Sequence, residues 1–208
     1  MLRTTKSIPK PSPIVNKNSP SANRTAQKKP GKLQPVSFTE PSEQPAEFVS
    51  DMDKSLTAAI GVINPKVNTH YYSFGNFNLV RLIMYIIKQT GPVNLSMTSY
   101  SFSSKSIQQL QNHIENEKII SFKLILDNRV RSISPKPFQI IASCFNYRCT
   151  SVHAKIALLW NDNWKLSIVT SQNATDNPKM ERGIIFTDPT VFDFDLKNFN
   201  DAFLRGTA

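Results

Sequence analysis

A histidine, a lysine, a serine, an asparagine and a glutamate lie close together in residues 151–186: His153, Lys155, Ser171, Asn173 and Glu181. Neutral imidazole can act as a nucleophile, and ammonium, hydroxyl and carboxamide groups donate hydrogen bonds to oxyanions. Because phosphoryl transfer depends on positioning and charge stabilisation, this set predicts an anion site at which His153 attacks phosphorus. We expect Lys155, Ser171 and Asn173 to hold the phosphoryl oxygens. Glu181 is expected to accept a hydrogen bond from the other ring nitrogen of His153.

The segment that carries these residues is typical of a β-hairpin. Residues 152–160 and 164–172 are mostly apolar or β-branched, and Asn161-Asp162-Asn163 between them is turn material. Residues two apart on a strand share a face, so His153 and Lys155 point the same way. Ser171 and Asn173 do likewise if the second strand extends that far. The hairpin would therefore present both pairs to one small volume.

The motifs H-x-K (His153-Ala154-Lys155) and S-x-N (Ser171-Gln172-Asn173), followed by Glu181, resemble the signature of the phospholipase D superfamily. The likeness extends upstream and covers roughly residues 70–205, where the pattern is similar to the helix, strand, helix, strand order of that domain. The resemblance implies an α/β fold with a mixed β-sheet flanked by helices. It also implies a phosphodiesterase that works through a phosphohistidine intermediate with neither metal nor cofactor.

Two positions depart from that signature. The family has an Asp five residues after the Lys and a Gly before the Ser, where this chain has Trp160 and Thr170. These changes leave open a reduced activity or a descendant that only binds. The family's active site uses two H-x-K motifs, whereas this chain has one. The resemblance therefore implies a homodimer in which two His153 side chains face each other across a two-fold axis.

The positive charge of the chain is concentrated at its N-terminus. The formal net charge is +10, and residues 1–35 contain eight Lys or Arg and no Asp or Glu. Such a segment buries too little apolar surface to order itself, so we predict a disordered basic tail over residues 1–50 and a phospholipase D-like domain over residues 51–208. A basic arm without a hydrophobic face favours DNA or RNA over a membrane. A solubilising or targeting tail is the alternative.

The remaining composition bears on location and redox state. The N-terminus lacks the continuous apolar core of a secretory signal, and the longest apolar stretch, residues 79–87, is too short to span a bilayer. We therefore expect a cytoplasmic protein that is not integral to a membrane. Cys144 and Cys149 are expected to be free thiols. His70 and His113 are interpreted as structural or surface residues.

Hydrophobic periodicity and turn signals predict the other elements. Helices are predicted after Asn76 or Asn78 up to Gly91-Pro92, after Ser103 or Ser104, and after Asp188-Pro189. Strands are predicted over residues 56–63, 70–74, 93–102, 119–126, 138–145 and 183–187. Arg129, Arg131 and Lys136 are placed in a Pro-bearing loop, as a solvated turn or as a second phosphate contact.

The function that these observations favour is a metal-independent endonuclease acting on DNA or RNA. Two alternatives stay open at this point. One is a non-catalytic nucleic-acid-binding module that keeps the phosphate site, which the changes at Trp160 and Thr170 would explain. The other is a phosphodiesterase acting on phospholipid.

Overall fold

The computed structural model describes residues 36–41, 47–49 and 56–208. The predicted tail over residues 1–50 lies outside the described residues except for two strands, so its disorder stays a prediction. Nine strands are present in the described part: β1 (Val36–Pro41), β2 (Glu47–Val49), β3 (Val67–Phe74), β4 (Val93–Ser99), β5 (Ile119–Asp127), β6 (Tyr147–Thr150), β7 (Lys155–Trp160), β8 (Lys165–Thr170) and β9 (Met180–Phe186). Six helices accompany them: α1 (Leu56–Ile60), α2 (Leu79–Thr90), α3 (Ser104–Glu115), α4 (Val130–Ile133), α5 (Pro135–Cys144) and α6 (Pro189–Arg205).

The strands form one mixed sheet in the order β2-β1-β3-β9-β8-β7-β4-β5-β6. Pairing is parallel between β4, β5 and β6 and antiparallel elsewhere. The predicted mixed sheet flanked by helices is confirmed. The predicted hairpin is also confirmed, because β7 and β8 pair from Lys155↔Thr170 to Trp160↔Lys165.

Helices cover both faces of this sheet. On one face, buried residues of α2 and α3 pack with those of β4 and β5 in the larger core. On the other face, α6 supplies Phe192, Phe199 and Phe203 to a smaller core with Ile125 and Leu158. Because side chains alternate along a strand, Ile125 faces α6 while its neighbours in β5 face the larger core. The central strands are therefore buried on both sides.

Side-chain caps fix the helix starts where the sequence predicts them. Asn78 Oδ1 accepts from the backbone N of Arg81 at 3.0 Å and so caps α2. Ser103 and Asp188 cap α3 and α6 in the same way. At the end of α2, Gly91 has φ 77°, a left-handed conformation that suits glycine. These three helix predictions are confirmed.

Three predictions from the sequence are wrong. Residues 56–63 are not a strand, because Leu56–Ile60 forms helix α1. Residues 138–145 belong instead to helix α5, where Pro135 occupies the first turn and Ile141 is fully buried while Ile140 is exposed. The arginine-rich loop is largely helical too, since α4 and α5 occupy most of it. Apolar, β-branched runs this short do not distinguish strand from helix.

Strand β4 is shorter than predicted, ending at Ser99, and β6 follows α5 without having been predicted. Cys144 is exposed, Cys149 is buried, and both are free thiols, as expected. In the described part of the chain, no helix has the length and apolarity needed to cross a bilayer.

Candidate active site

The H-x-K motif sits where the chain enters β7. Lys155 is the first residue of that strand, whereas His153 precedes it and is exposed. Thr98 of the neighbouring strand β4 holds this entry in place. Its Oγ1 donates to the carbonyl oxygen of Ala154 at 2.6 Å and accepts from the backbone N of Ile156 at 3.1 Å. The motif is thus anchored to the centre of the sheet on both sides of Lys155.

Lys155 is only 7% exposed, and its ammonium group lies against His153. Nζ donates to the His153 carbonyl oxygen at 2.8 Å and lies 3.3 Å and 3.5 Å from the two ring nitrogens. Burial lowers the pKa of Lys155, and the negative charge of Glu181 opposes that shift. The predicted juxtaposition of imidazole and ammonium is therefore present, although His153 itself is not part of the strand.

The S-x-N motif sits at the end of β8, beside the start of β7. Thr170, the last residue of β8, pairs with Lys155, and Ser171 follows directly. Ser171 accepts from the backbone N of Arg182 at 3.0 Å. Asn173 Oδ1 accepts from the backbone N of Tyr100 at 3.3 Å, which connects this motif to the end of β4. The two motifs therefore meet at the same end of the sheet.

Glu181 has other partners than the predicted one. Its carboxylate accepts from the Ser171 hydroxyl and from Asn177 Nδ2, the latter at 2.7 Å. Among the described residues, Glu181 makes no hydrogen bond with His153. Glu181 acts on Lys155 through its charge and on Ser171 through a hydrogen bond, so it is tied to the S-x-N motif and not to the imidazole.

A buried hydrogen-bond network supports the S-x-N motif from below. The Tyr71 hydroxyl is the donor to two possible acceptors, Thr170 Oγ1 at 3.1 Å and Gln172 Oε1 at 2.9 Å. Gln172 Nε2 donates to the carbonyl oxygen of Phe77 at 2.7 Å. Burial raises the pKa of Tyr71, so its hydroxyl stays protonated. Gln172, between Ser171 and Asn173, is thereby fixed in the core.

Tyr100 and Asp127, which no sequence motif indicates, also lie at this end of the sheet, together with Arg129, for which the sequence left open a solvated turn or a second phosphate contact. The Tyr100 ring lies 5.6 Å from the His153 ring, with Lys155 Nζ 6.0 Å and Arg129 Cζ 4.8 Å from its centroid. Asp127 accepts from Arg129 Nε at 2.8 Å and from the backbone N of Val152 at 3.3 Å. Its pKa is lowered, mainly by that hydrogen bond from Arg129. Tyr100 and Asp127 follow or end adjacent parallel strands, and the carboxyl ends of such strands meet at one edge.

The two positions that depart from the family signature both have packing roles. Trp160 ends β7, at the opposite end from Lys155, and its ring packs on Phe192 with centroids 5.8 Å apart. Asp162 lies in the hairpin turn beyond it. Thr170 Oγ1 joins the Tyr71 network and also donates to the carbonyl oxygen of Arg182 at 3.1 Å.

The other two histidines lie elsewhere. His113 Nδ1 is 3.0 Å from the carbonyl oxygen of Gln109 within α3. His70, on β3, is contacted by Arg182 Nη2 at 3.3 Å. Across the described residues, no group of three or more His, Cys, Asp or Glu is arranged to hold a metal ion. Lys155 contacts His153 directly, and Arg129 contacts the Tyr100 ring that also lies next to His153.

This α/β architecture, a mixed sheet flanked by helices, is similar to that of solved structures. Polyphosphate kinase from Porphyromonas gingivalis matches it with a TM-score of 0.51 and 13% identity, over 68% of this chain and 26% of the kinase. NucT from Helicobacter pylori matches with a TM-score of 0.48 and 12% identity, over 66% of this chain and 97% of NucT. Phosphatidylserine synthase from Haemophilus influenzae Rd KW20 matches with a TM-score of 0.44 and 16% identity, over 69% of this chain and 40% of the synthase.

The shared feature is the fold, at low sequence identity. This chain spans about a quarter of the kinase and two fifths of the synthase. No family model matches the sequence, and no curated protein matches it either.

Proposed function

We propose that this protein is a metal-independent phosphodiesterase that cleaves DNA or RNA through a phosphohistidine intermediate. The observation that carries the proposal is the contact between exposed His153 and buried Lys155, whose Nζ lies within 3.5 Å of both imidazole nitrogens. A buried cation beside an accessible nucleophile attracts an anionic substrate to the atom that would attack it.

We assign a role to each site residue in this reaction. A nitrogen of His153 attacks phosphorus, forming a P–N bond as the bond to the leaving ester oxygen breaks. The ammonium of Lys155 and the carboxamide of Asn173 stabilise the phosphoryl oxygens. Ser171, oriented by Glu181, adds support on the same side. Water then attacks phosphorus, the P–N bond breaks, and the imidazole returns to its starting state.

The leaving oxygen needs a proton, and the attacking water must lose one. We propose that His153 of a second subunit supplies the first and takes the second, so that the working enzyme is a homodimer with one site at its two-fold axis. The preference for nucleic acid rests on the net charge of +10 and on the eight basic residues that lie within residues 1–35.

The test compares wild-type protein with His153→Ala and with His113→Ala, each incubated with single-stranded DNA, duplex DNA and RNA in excess EDTA. His113 is a matched control because it is the same residue type and its described side-chain hydrogen bond is to Gln109 of its own helix. Cleavage by wild type and by His113→Ala, with none by His153→Ala, is expected. A denatured wild-type sample quenched during turnover should carry substrate phosphate in a linkage that is labile to acid and stable to base.

Two outcomes assign a different function. Salt-dependent binding that both histidine variants retain, with no turnover by wild type, would identify a nucleic-acid-binding module. Faster release of headgroup from phospholipid vesicles than of oligonucleotide products would identify a lipid phosphodiesterase. An absolute requirement for Mg²⁺ would refute the phosphohistidine mechanism.

A further inference from the structure

An arginine next to the proposed catalytic centre is held in place yet remains open to a ligand. The side chain of Arg129 is 63% exposed, whereas that of its partner Asp127 is 5% exposed. Both the backbone N and Nε of Arg129 donate to Asp127 Oδ1, at 3.0 Å and 2.8 Å. The buried carboxylate of Asp127 thus holds both the backbone of Arg129 and the Nε edge of its guanidinium group.

The outer edge of the same guanidinium has no hydrogen-bond partner in the part of the chain that the structure describes. Nη1 and Nη2 of Arg129 make no hydrogen bond with any of the described residues. The group lies over the Tyr100 ring, with Cζ 4.8 Å from the centroid. Stacking and the Nε bond together restrict its rotation, so less entropy is lost when a ligand binds. Two parallel N–H donors in this state match a pair of phosphate oxygens.

Arg129 is also tied to the catalytic histidine. His153 and Arg129 are both neighbours of one ring, that of Tyr100, at 5.6 Å and 4.8 Å from its centroid. The other oxygen of Asp127 accepts from the backbone N of Val152, which immediately precedes His153. One carboxylate therefore sets the position of the arginine relative to the histidine.

We propose that Arg129, positioned by Asp127 and Tyr100, is a subsite for the phosphate that flanks the scissile phosphate of a polynucleotide. The inference rests on the proposed function, because it places the scissile phosphate at His153. A polynucleotide has a phosphate on either side of the scissile one, and one of these can bind a second anion site. A phospholipid whose only phosphate is the reacting one offers none.

The chain contains a matched control for this arginine. Arg131 is exposed, lies two residues further along, and stacks on Phe138 with Cζ 5.4 Å from the ring centroid. Arg129→Ala and Arg131→Ala remove the same charge and the same kind of stacking. Only the first removes the group that shares the Tyr100 ring with His153, together with its Nε hydrogen bond to Asp127. A general loss of electrostatic attraction would affect both variants alike.

The experiment measures kcat/KM for wild type and both variants on substrates with and without a flanking phosphate. Dithymidine monophosphate and diuridine monophosphate have one phosphodiester each, whereas dodecathymidylate and dodecauridylate have neighbours on either side of an internal bond. We expect Arg129→Ala to lower kcat/KM for the cleaved dodecamer about tenfold to a hundredfold, the loss typical of a charge-assisted hydrogen bond. The loss caused by Arg129→Ala should be smaller on the dinucleotide than on the dodecamer, and all Arg131→Ala values should stay within about threefold of wild type.

Equal losses on dinucleotide and dodecamer would overturn the subsite, since Arg129 would then act on the scissile phosphate itself. Equal losses for Arg129→Ala and Arg131→Ala would reduce it to general electrostatics. A larger loss on phosphatidylserine vesicles than on the dodecamer would assign Arg129 to a lipid headgroup and overturn the polynucleotide proposal.

If wild type cleaves none of these substrates, the proposed function fails. The phosphate contact of Arg129 is then tested by measuring binding. Fluorescence anisotropy of a labelled dodecamer at several salt concentrations then compares the same three proteins. A Kd raised at least tenfold by Arg129→Ala alone, with a salt slope reduced by about one, supports the phosphate contact. Equal Kd values for both variants, or no binding by wild type, overturn it.

Discussion

Replacing Tyr71 by Phe removes one hydroxyl from the buried network beneath the S-x-N motif. The Tyr71 side chain is 1% exposed and its ring packs on Phe77 with centroids 5.7 Å apart. On the other side, the backbone of Gly183 lies so close to the ring that a Cβ there would come within 2.7 Å of its Cε1. The ring of the phenylalanine variant is therefore held where the tyrosine ring was, and the change is confined to the missing hydroxyl.

The cost follows from the two contacts that disappear. The Tyr71 hydroxyl lies 2.9 Å from Gln172 Oε1 and 3.1 Å from Thr170 Oγ1. Gln172 is 2% exposed, and without Tyr71 its Oε1 keeps only a contact with Thr170 Oγ1 at 3.5 Å. Leaving a buried acceptor poorly satisfied costs about 1–3 kcal/mol. At about 2–4 °C per kcal/mol for a domain of this size, Tm should fall by roughly 2–12 °C.

Urea unfolding followed by circular dichroism measures this cost directly. Tyr72→Phe is the control, because Tyr72 is adjacent and half-buried, stacks on Phe74, and has no hydroxyl hydrogen bond among the described residues. We expect its free energy of unfolding to stay within about 0.5 kcal/mol of wild type. A Tyr71→Phe protein as stable as Tyr72→Phe would refute the inference that this network is satisfied through the Tyr71 hydroxyl.

Two further predictions concern Trp160 and Asp127. Introducing the aspartate of the phospholipase D signature by Trp160→Asp should lower the free energy of unfolding by about 3 kcal/mol or more, because it removes the ring packed on Phe192 and places a carboxylate there. Cleavage per folded molecule should not rise, and a clear rise would contradict the packing role. Because its pKa is lowered, the ionised Asp127 carboxylate stabilises the fold at pH values above its ordinary pKa of 3.8. This stabilisation is lost as the pH falls through the pKa that Asp127 has in the folded protein. The stability difference between wild type and Asp127→Asn should therefore be full at pH 6 and shrink towards pH 2.5 in urea titrations, whereas a constant difference would contradict it.

The sequence was sufficient for the hairpin, the caps of α2, α3 and α6, and the residues of both motifs. These features depend on local information: turn residues, capping side chains and spacing along a strand. The sequence was misleading over residues 138–145, because an apolar, β-branched run suits a strand and a buried helix face equally. Only packing decides there, with Ile141 fully buried and Phe138 packed edge-on against Tyr147 at 5.7 Å.

The partners of the site were harder to predict because they are distant in sequence. Glu181 was assigned to His153, yet its hydrogen bonds go to Ser171 and Asn177, since β9 runs antiparallel to β8 and Arg182 lies beside Ser171. Tyr100 carries no motif signal of its own. Its position beside His153 depends on the order β7-β4-β5, in which the end of β4 lies between the H-x-K motif and the end of β5. Strand order is a tertiary property that cannot be read from the local patterns of a single sequence.

The same geometry explains how the signature can change at two positions without disturbing the proposed catalytic groups. Trp160 lies at the far end of β7 from Lys155, and its neighbours belong to the α6 core. Thr170 is next to Ser171, but its hydroxyl is directed to Tyr71, Gln172 and the Arg182 carbonyl oxygen. Each replacement thus adds to packing or to buried hydrogen bonding. The contacts among His153, Lys155, Asn173 and Tyr100 involve neither of them, so the two changes are better explained by the stability of this scaffold than by loss of the chemistry proposed for it.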